Sequence, residues 1–188
     1  MMGMKYCAIL LSIMGMLSSS IIVHAESEDT PEPFEVIYPE IGYTTIDEAV
    51  SEFEKYFKED VQLPTRIPPI PFTHAFGRYS NLKDGMNVSL EVKYIHDMKP
   101  ENHFKIDVRS IKNKIQFRDT LILNTYVLRN GNKAEYISHT HFNLLVFEQN
   151  NWQYILSVDK RIAEEINGDV LTSIANSIGV LAENKKIH

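Results

Sequence analysis

One cysteine occurs in 188 residues, and it lies at position 7, ahead of an apolar run. The rest of the chain therefore has no disulfide framework, no Cys-x-x-Cys redox pair, no cysteine zinc site and no thiol nucleophile. Cys7 is also misplaced for lipidation, which takes a cysteine at the end of an apolar leader. Glycine is scarce, with eight residues, and none falls into a Walker loop or a Gly-x-Gly-x-x-Gly turn, so nothing in the sequence cradles a nucleotide phosphate. Gly-x-Ser-x-Gly and His-Glu-x-x-His are missing as well, and no catalytic or cofactor signature remains. Positive charge is in deficit: 19 Lys and Arg face 25 Asp and Glu, a formal charge of −6. Apart from Lys185 and Lys186 the cations are scattered. Such a chain has no overall attraction for nucleic acid or anionic lipid. Long apolar runs are limited to residues 8–23, and that run is broken by Gly15 and by Ser18, Ser19 and Ser20. A permanent membrane span needs about 20 strongly apolar residues.

What is present begins with a three-part leader. Lys5 gives the positive end, residues 8–23 the apolar run, and Val23 and Ala25 the small residues before a cleavage point. This pattern predicts a signal peptide over 1–25, cut after Ala25, and hence a protein secreted or held in the cell-wall space, with no membrane span after cleavage. A secreted domain without cysteine fits a Gram-positive bacterium. Residues 26–43, ESEDTPEPFEVIYPEIGY, hold three prolines and no cation, a composition expected of a flexible acidic tether. Within it, FEVIYPEI has enough apolar side chains to dock on something.

A single domain is expected over 44–182, with a short tail at 183–188. Thr45 and Glu48 have capping-box spacing, and Ile46, Ala49, Val50, Phe53, Tyr56 and Phe57 share one helical face, which predicts a helix over 46–59. LPTRIPPIP must then run extended. Alternation in MNVSLEVKYI and HFKIDVRSI, the segments DTLILNTYVL and KAEYI about an Asn130-Gly131 type I′ turn, and FNLLVFEQ and WQYILSV about Asn150-Asn151 read as strands. Asp169 is the expected N-cap of a closing helix with Leu171, Ile174 and Ile178 on its apolar stripe. The fold class is α+β: an antiparallel sheet of about six strands, with an N-terminal and a C-terminal helix packed on one face.

LPTRIP at 63–68, NGNKAEYI at 130–137, LLVFEQNNWQYIL at 144–156 and DVLTSIANSI at 169–178, in that order, resemble a family of Gram-positive extracytoplasmic domains of unknown function. Some of its members are attached to anti-sigma-factor or lipoprotein-like chains. The matching positions are Pro64, Pro68, Asn130, Gly131, Ala134, Tyr136, Tyr154, Leu156, Ala175 and Ser177. Phe147 stands where the family pattern has tryptophan, and Trp152 lies across the turn instead. The resemblance implies turn and core positions but no activity.

SHTHF at 138–142 is the one histidine doublet. On a strand, His139 and His141 would point to the same side and could ligate zinc with a third residue; His96, His103 and Glu148 are the candidates. Between KAEYI and FNLLVFEQ, however, the doublet falls in a strand connection, where exposed turn residues are expected. IPPIPF and FEVIYPEI are expected to cover sheet edges, or else to dock a partner. These readings converge on a non-enzymatic domain without a cofactor, acting by contact with a protein partner. The alternative is a metal- or small-ligand-binding module built on His139 and His141.

Overall fold

The computed structural model describes residues 32–82 and 87–179; the expected signal peptide and tail lie outside them. Among these residues, three α-helices and one seven-stranded antiparallel sheet make an α+β fold. The helices are α1 (Phe34–Glu40), α2 (Ile46–Phe57) and α3 (Gly168–Ala175). The strands are β1 (His74–Leu82), β2 (Asn87–Ile95), β3 (His103–Ser110), β4 (Ile122–Val127), β5 (Lys133–Ser138), β6 (Phe142–Gln149) and β7 (Trp152–Asp159), in the spatial order β1-β2-β3-β7-β6-β5-β4. Two meanders, β1–β3 and β4–β7, therefore join through β3 and β7, with Ile106 opposite Leu156. No described helix is long and apolar enough to cross a membrane.

α2 starts where the sequence says it should. The Thr45 hydroxyl accepts from the Glu48 amide while the Glu48 carboxylate accepts from the Thr45 amide, which satisfies donors a helix start leaves free. Its apolar stripe lies on the first face of the sheet. There Ala49 and Phe53 join Leu90, Val92, Ile106, Trp152 and Leu156 in the main core, and α3 adds Leu171, Ile174 and Ala175. The segment after α2 ties down the core aromatics by their polar ends. Trp152 Nε1 donates to the Asp60 carbonyl at 3.1 Å and the Tyr154 hydroxyl to that of Gln62 at 3.0 Å. IPPIPF is a cover, with Ile70 and Phe72 packed against the core.

The structure departs from the sequence expectations at four places. A seventh strand, β1, fills the stretch HAFGRYSNL. Its core-side positions include Ala75 and Gly77, so no apolar alternation marks it, and the reason is α2. A Cβ on Gly77 would stand 2.8 Å from the Ile46 Cα and from the Thr45 carbonyl oxygen, so only glycine lets the helix start lie this close. The expected tether is helical over Phe34–Glu40, and Tyr43 is buried; Phe34 and Tyr38 find aromatic partners on β1, which gives the segment the apolar burial that its composition alone did not promise. The 130–131 turn is not type I′, because only Gly131 of the pair takes positive φ. The Gly131 amide closes a turn on the Leu128 carbonyl and the Leu128 amide donates to Asn132, a three-residue loop with glycine at the left-handed position. Finally, the N-cap of α3 is Asn167, whose side chain accepts from the Asp169 and Val170 amides.

Candidate functional site

The second face of the sheet is divided in three. Over β1 lies α1, with the Tyr38 ring stacked on Phe76 at 4.5 Å and the Glu35 carboxylate 2.8 Å from His74 Nε2. Over β5–β7 lies the segment after β3, where Phe117 and Leu121 pack on Ile137, Leu144, Val146 and Ile155. The Gln153 side chain holds that segment by accepting from the Ile115 amide and donating to its carbonyl. Between the two covers, β2 and β3 present charged side chains.

Register places them. Arg78, Glu91 and Asp107 lie opposite one another across β1, β2 and β3, and so do Phe76, Lys93 and Lys105 in the next row. His103 is one row further on, opposite Ile95. Glu91 is the hub: Arg78, Lys93 and Lys105 approach it at 3.6, 3.5 and 3.4 Å, and the Tyr43 hydroxyl donates to it. Lys105 also meets Asp107 at 2.9 Å. The Tyr43 ring carries two cations on its face, Arg78 at 4.5 Å and Lys93 at 4.8 Å, an arrangement that stabilises partly dehydrated charge.

Burial sets the protonation behaviour here. It would raise the Glu91 carboxyl, but Lys105, Tyr43, Lys93 and Arg78 more than offset it, and the group lies below its usual range. It lowers the Lys93 ammonium, which Glu91 does not restore. It would lower Lys105 too, but Asp107 and Glu91 leave that group raised. Asp107 is raised by burial despite Lys105. His103 is pushed down to about 4 by burial and then by Lys93 and Lys105. A depressed lysine, a depressed histidine and a raised aspartate side by side mark strong electrostatic perturbation.

The histidine doublet lies elsewhere. His139, Thr140 and His141 form the exposed β5–β6 turn, where the His139 amide donates to the Phe142 carbonyl and the His141 carbonyl accepts from Lys160. His141 lines a depression of about 340 Å³ with Asp159 and Arg161, and Asp159 is already clamped by Arg161 at 2.7 Å. The candidate third ligands do not assemble around the doublet. Glu148 is at the opposite end of β6 and pairs with Lys114 at 2.7 Å, and His96 pairs with Asp97 at 3.0 Å. His103 is set into the charged face with its ring edge-on to Phe142. Among the described residues no three His, Cys, Asp or Glu side chains are grouped as metal ligands. The charged face escaped sequence reasoning because its residues come from three strands. Its signal was the polar half of each alternation, E-K in β2 and K-D-R in β3.

One further feature is a strand edge. The β1 edge is capped by the Thr44–Gly77 bridge. The outer side of β4 pairs with no other described segment. β4 carries no charged residue and no proline, and Leu123 and Val127 are 59% and 69% exposed. Its register shift is confined to the start, between Ile122 and Asn124.

No family model matches this chain, and no curated protein and no solved structure matches it either.

Proposed function

We propose that this chain is a secreted bacterial domain of the Gram-positive extracytoplasmic type it resembles, which catalyses no reaction and works by binding another protein along β4. One observation carries this reading: the β4 edge is open and uncharged. Natural sheets protect their edges with lysine, proline, bulges along the strand or a covering segment, because free amides and carbonyls there will pair with any extended chain. The β1 edge has such a cover and β4 has none along Asn124–Val127. An extended segment of a partner could add as an eighth strand, with backbone hydrogen bonds for affinity and Leu123 and Val127 for side-chain contact.

The test is affinity capture from the envelope of the native cell with the mature protein, followed by direct binding of the captured protein once purified. Leu123→Lys and Val127→Lys together put charge on the edge without touching the core. We expect them to weaken that binding at least about tenfold, as edge lysines block strand pairing. A partner that binds the double variant as tightly as the unmodified chain overturns the reading.

A further inference from the structure

We infer that the charged face of β2 and β3 holds a tetrahedral oxyanion, of the phosphate or sulfate class, between Lys93, Lys105 and His103. This site is independent of the β4 edge and stands or falls separately. Three observations lead to it. The first is charge. Arg78, Lys93, Lys105 and Arg109 lie on this face of β1–β3 against Glu91 and Asp107. The Asp159 carboxylate on β7, whose charge also reaches His103, is clamped by Arg161, so positive charge is locally in surplus in a chain whose formal charge is −6. The second is that the surplus is confined rather than dispersed. Lys93 and Lys105 are register partners on adjacent strands, a placement in which like charges repel. Glu91 must serve Arg78, Lys93 and Lys105 together, and it is also the acceptor for Tyr43. Among the described residues, Lys93, with 16% side-chain exposure, has no other carboxylate within ion-pair reach.

The third observation is unused hydrogen-bonding capacity. Among the described residues the His103 Nε2 atom is buried without a partner, and so are the Nε atoms of Arg78 and Arg109. A buried polar atom left unpaired costs free energy, and one that gains a hydrogen-bond partner recovers it. His103 lies two residues from Lys105 on the same side of β3, diagonal to Lys93. One oxyanion seated there would accept from two ammonium groups and from imidazole Nε2–H. Donors on three sides suit a group whose oxygens are spread tetrahedrally better than a planar carboxylate, and each contact is charge-assisted or nearly so. The cations are not sealed off: Arg78 and Lys105 keep 33% and 30% of their side-chain surface exposed.

The experiment uses the mature protein and two probes, inorganic phosphate against chloride at matched ionic strength, and vesicles of phosphatidylglycerol against phosphatidylcholine. Calorimetry and the imidazole NMR signals of His103 give the readouts. We expect phosphate, and not chloride, to bind and to shift the His103 resonances. Lys93→Gln and His103→Gln should each weaken binding about tenfold, the loss of one charge-assisted hydrogen bond, while His139→Ala leaves it unchanged. Lys93→Gln removes one of two facing cations, so the fold should tolerate it; an unchanged circular dichroism spectrum and melting temperature verify this. Sedimentation with phosphatidylglycerol vesicles that Lys93→Gln abolishes would assign the same site to a lipid headgroup rather than a free ion. The inference is overturned if neither probe binds better than its control, or if phosphate binds Lys93→Gln and His103→Gln as it binds the unmodified chain.

Discussion

Burial beside Lys93 and Lys105 holds the His103 imidazole at about 4, with Asp159 and Glu91 offsetting only part of the push. In the unfolded chain the same ring titrates near its ordinary value of about 6.5. Between these two values the unfolded state takes up a proton that the folded state refuses. Stability therefore falls as pH drops from about 6.5 towards about 4, and the contribution is fully present above that window. Asp107 works in the opposite sense, since its carboxyl is raised and protonates more readily in the folded chain, so the informative quantity is a difference. Denaturant unfolding across this pH range should show a steeper acid loss for the unmodified chain than for His103→Gln. Equal slopes would mean that His103 is not shielded as described. Little of this was legible beforehand. The sequence holds seven histidines, and His139 and His141 stand out by their spacing of two. His103 stands there only as one candidate third ligand for that pair, and its importance comes instead from Lys93, ten residues away along the chain and adjacent only through strand pairing.

At the scale of elements, α2, β2 and β3 were readable because periodicity and burial agree in them, and β4 to β7 because apolar runs flank the turn residues Asn130-Gly131 and Asn150-Asn151. The capping box at Thr45 and the stripe through Phe53 fix α2, and Val88, Leu90 and Val92 fix β2. β1 and α1 were not readable, for one shared reason. Each depends on a neighbouring element rather than on its own pattern: β1 uses Gly77 to admit α2, and α1 packs its rings on β1. Beyond the Phe34–Tyr38 pair inside the helix, its ring contacts to β1, Phe34 on His74 and Tyr38 on Phe76, are tertiary. A chain beginning at Thr44 would lose those contacts together with Tyr43, which is 3% exposed and donates to Glu91. Truncating a buried aromatic costs about 3–5 kcal/mol, and each kcal/mol lowers the melting temperature of a domain this size by roughly 2–4 °C. Calorimetry should therefore show a drop on the order of 10 °C for that chain. A drop of only a degree or two would restore the reading of 26–43 as a tether.

The described residues build a single sheet with one apolar and one partly charged face, assembled from two meanders. β3 and β7 lie at the middle of the sheet, each flanked by strands on both sides, and every residue of β7 is buried. Amide exchange should be slowest at Ile106, Tyr154 and Leu156 and fastest at Leu123 to Val127 on the open edge, because local opening is easiest where few buried contacts must break. Uniform protection across the sheet would contradict this. The pairing of β3 with β7 has a further consequence. Each meander brings its own helix, α2 with the first and α3 with the second. They meet along a ladder running from Phe104 opposite Val158 to Ser110 opposite Trp152, with the Trp152 ring lodged 5.0 Å from Phe53. A nick in the backbone between Lys114 and Arg118 would leave that seam whole, so the two halves amount to a pair of complementary fragments that a short stretch of peptide keeps at high effective concentration.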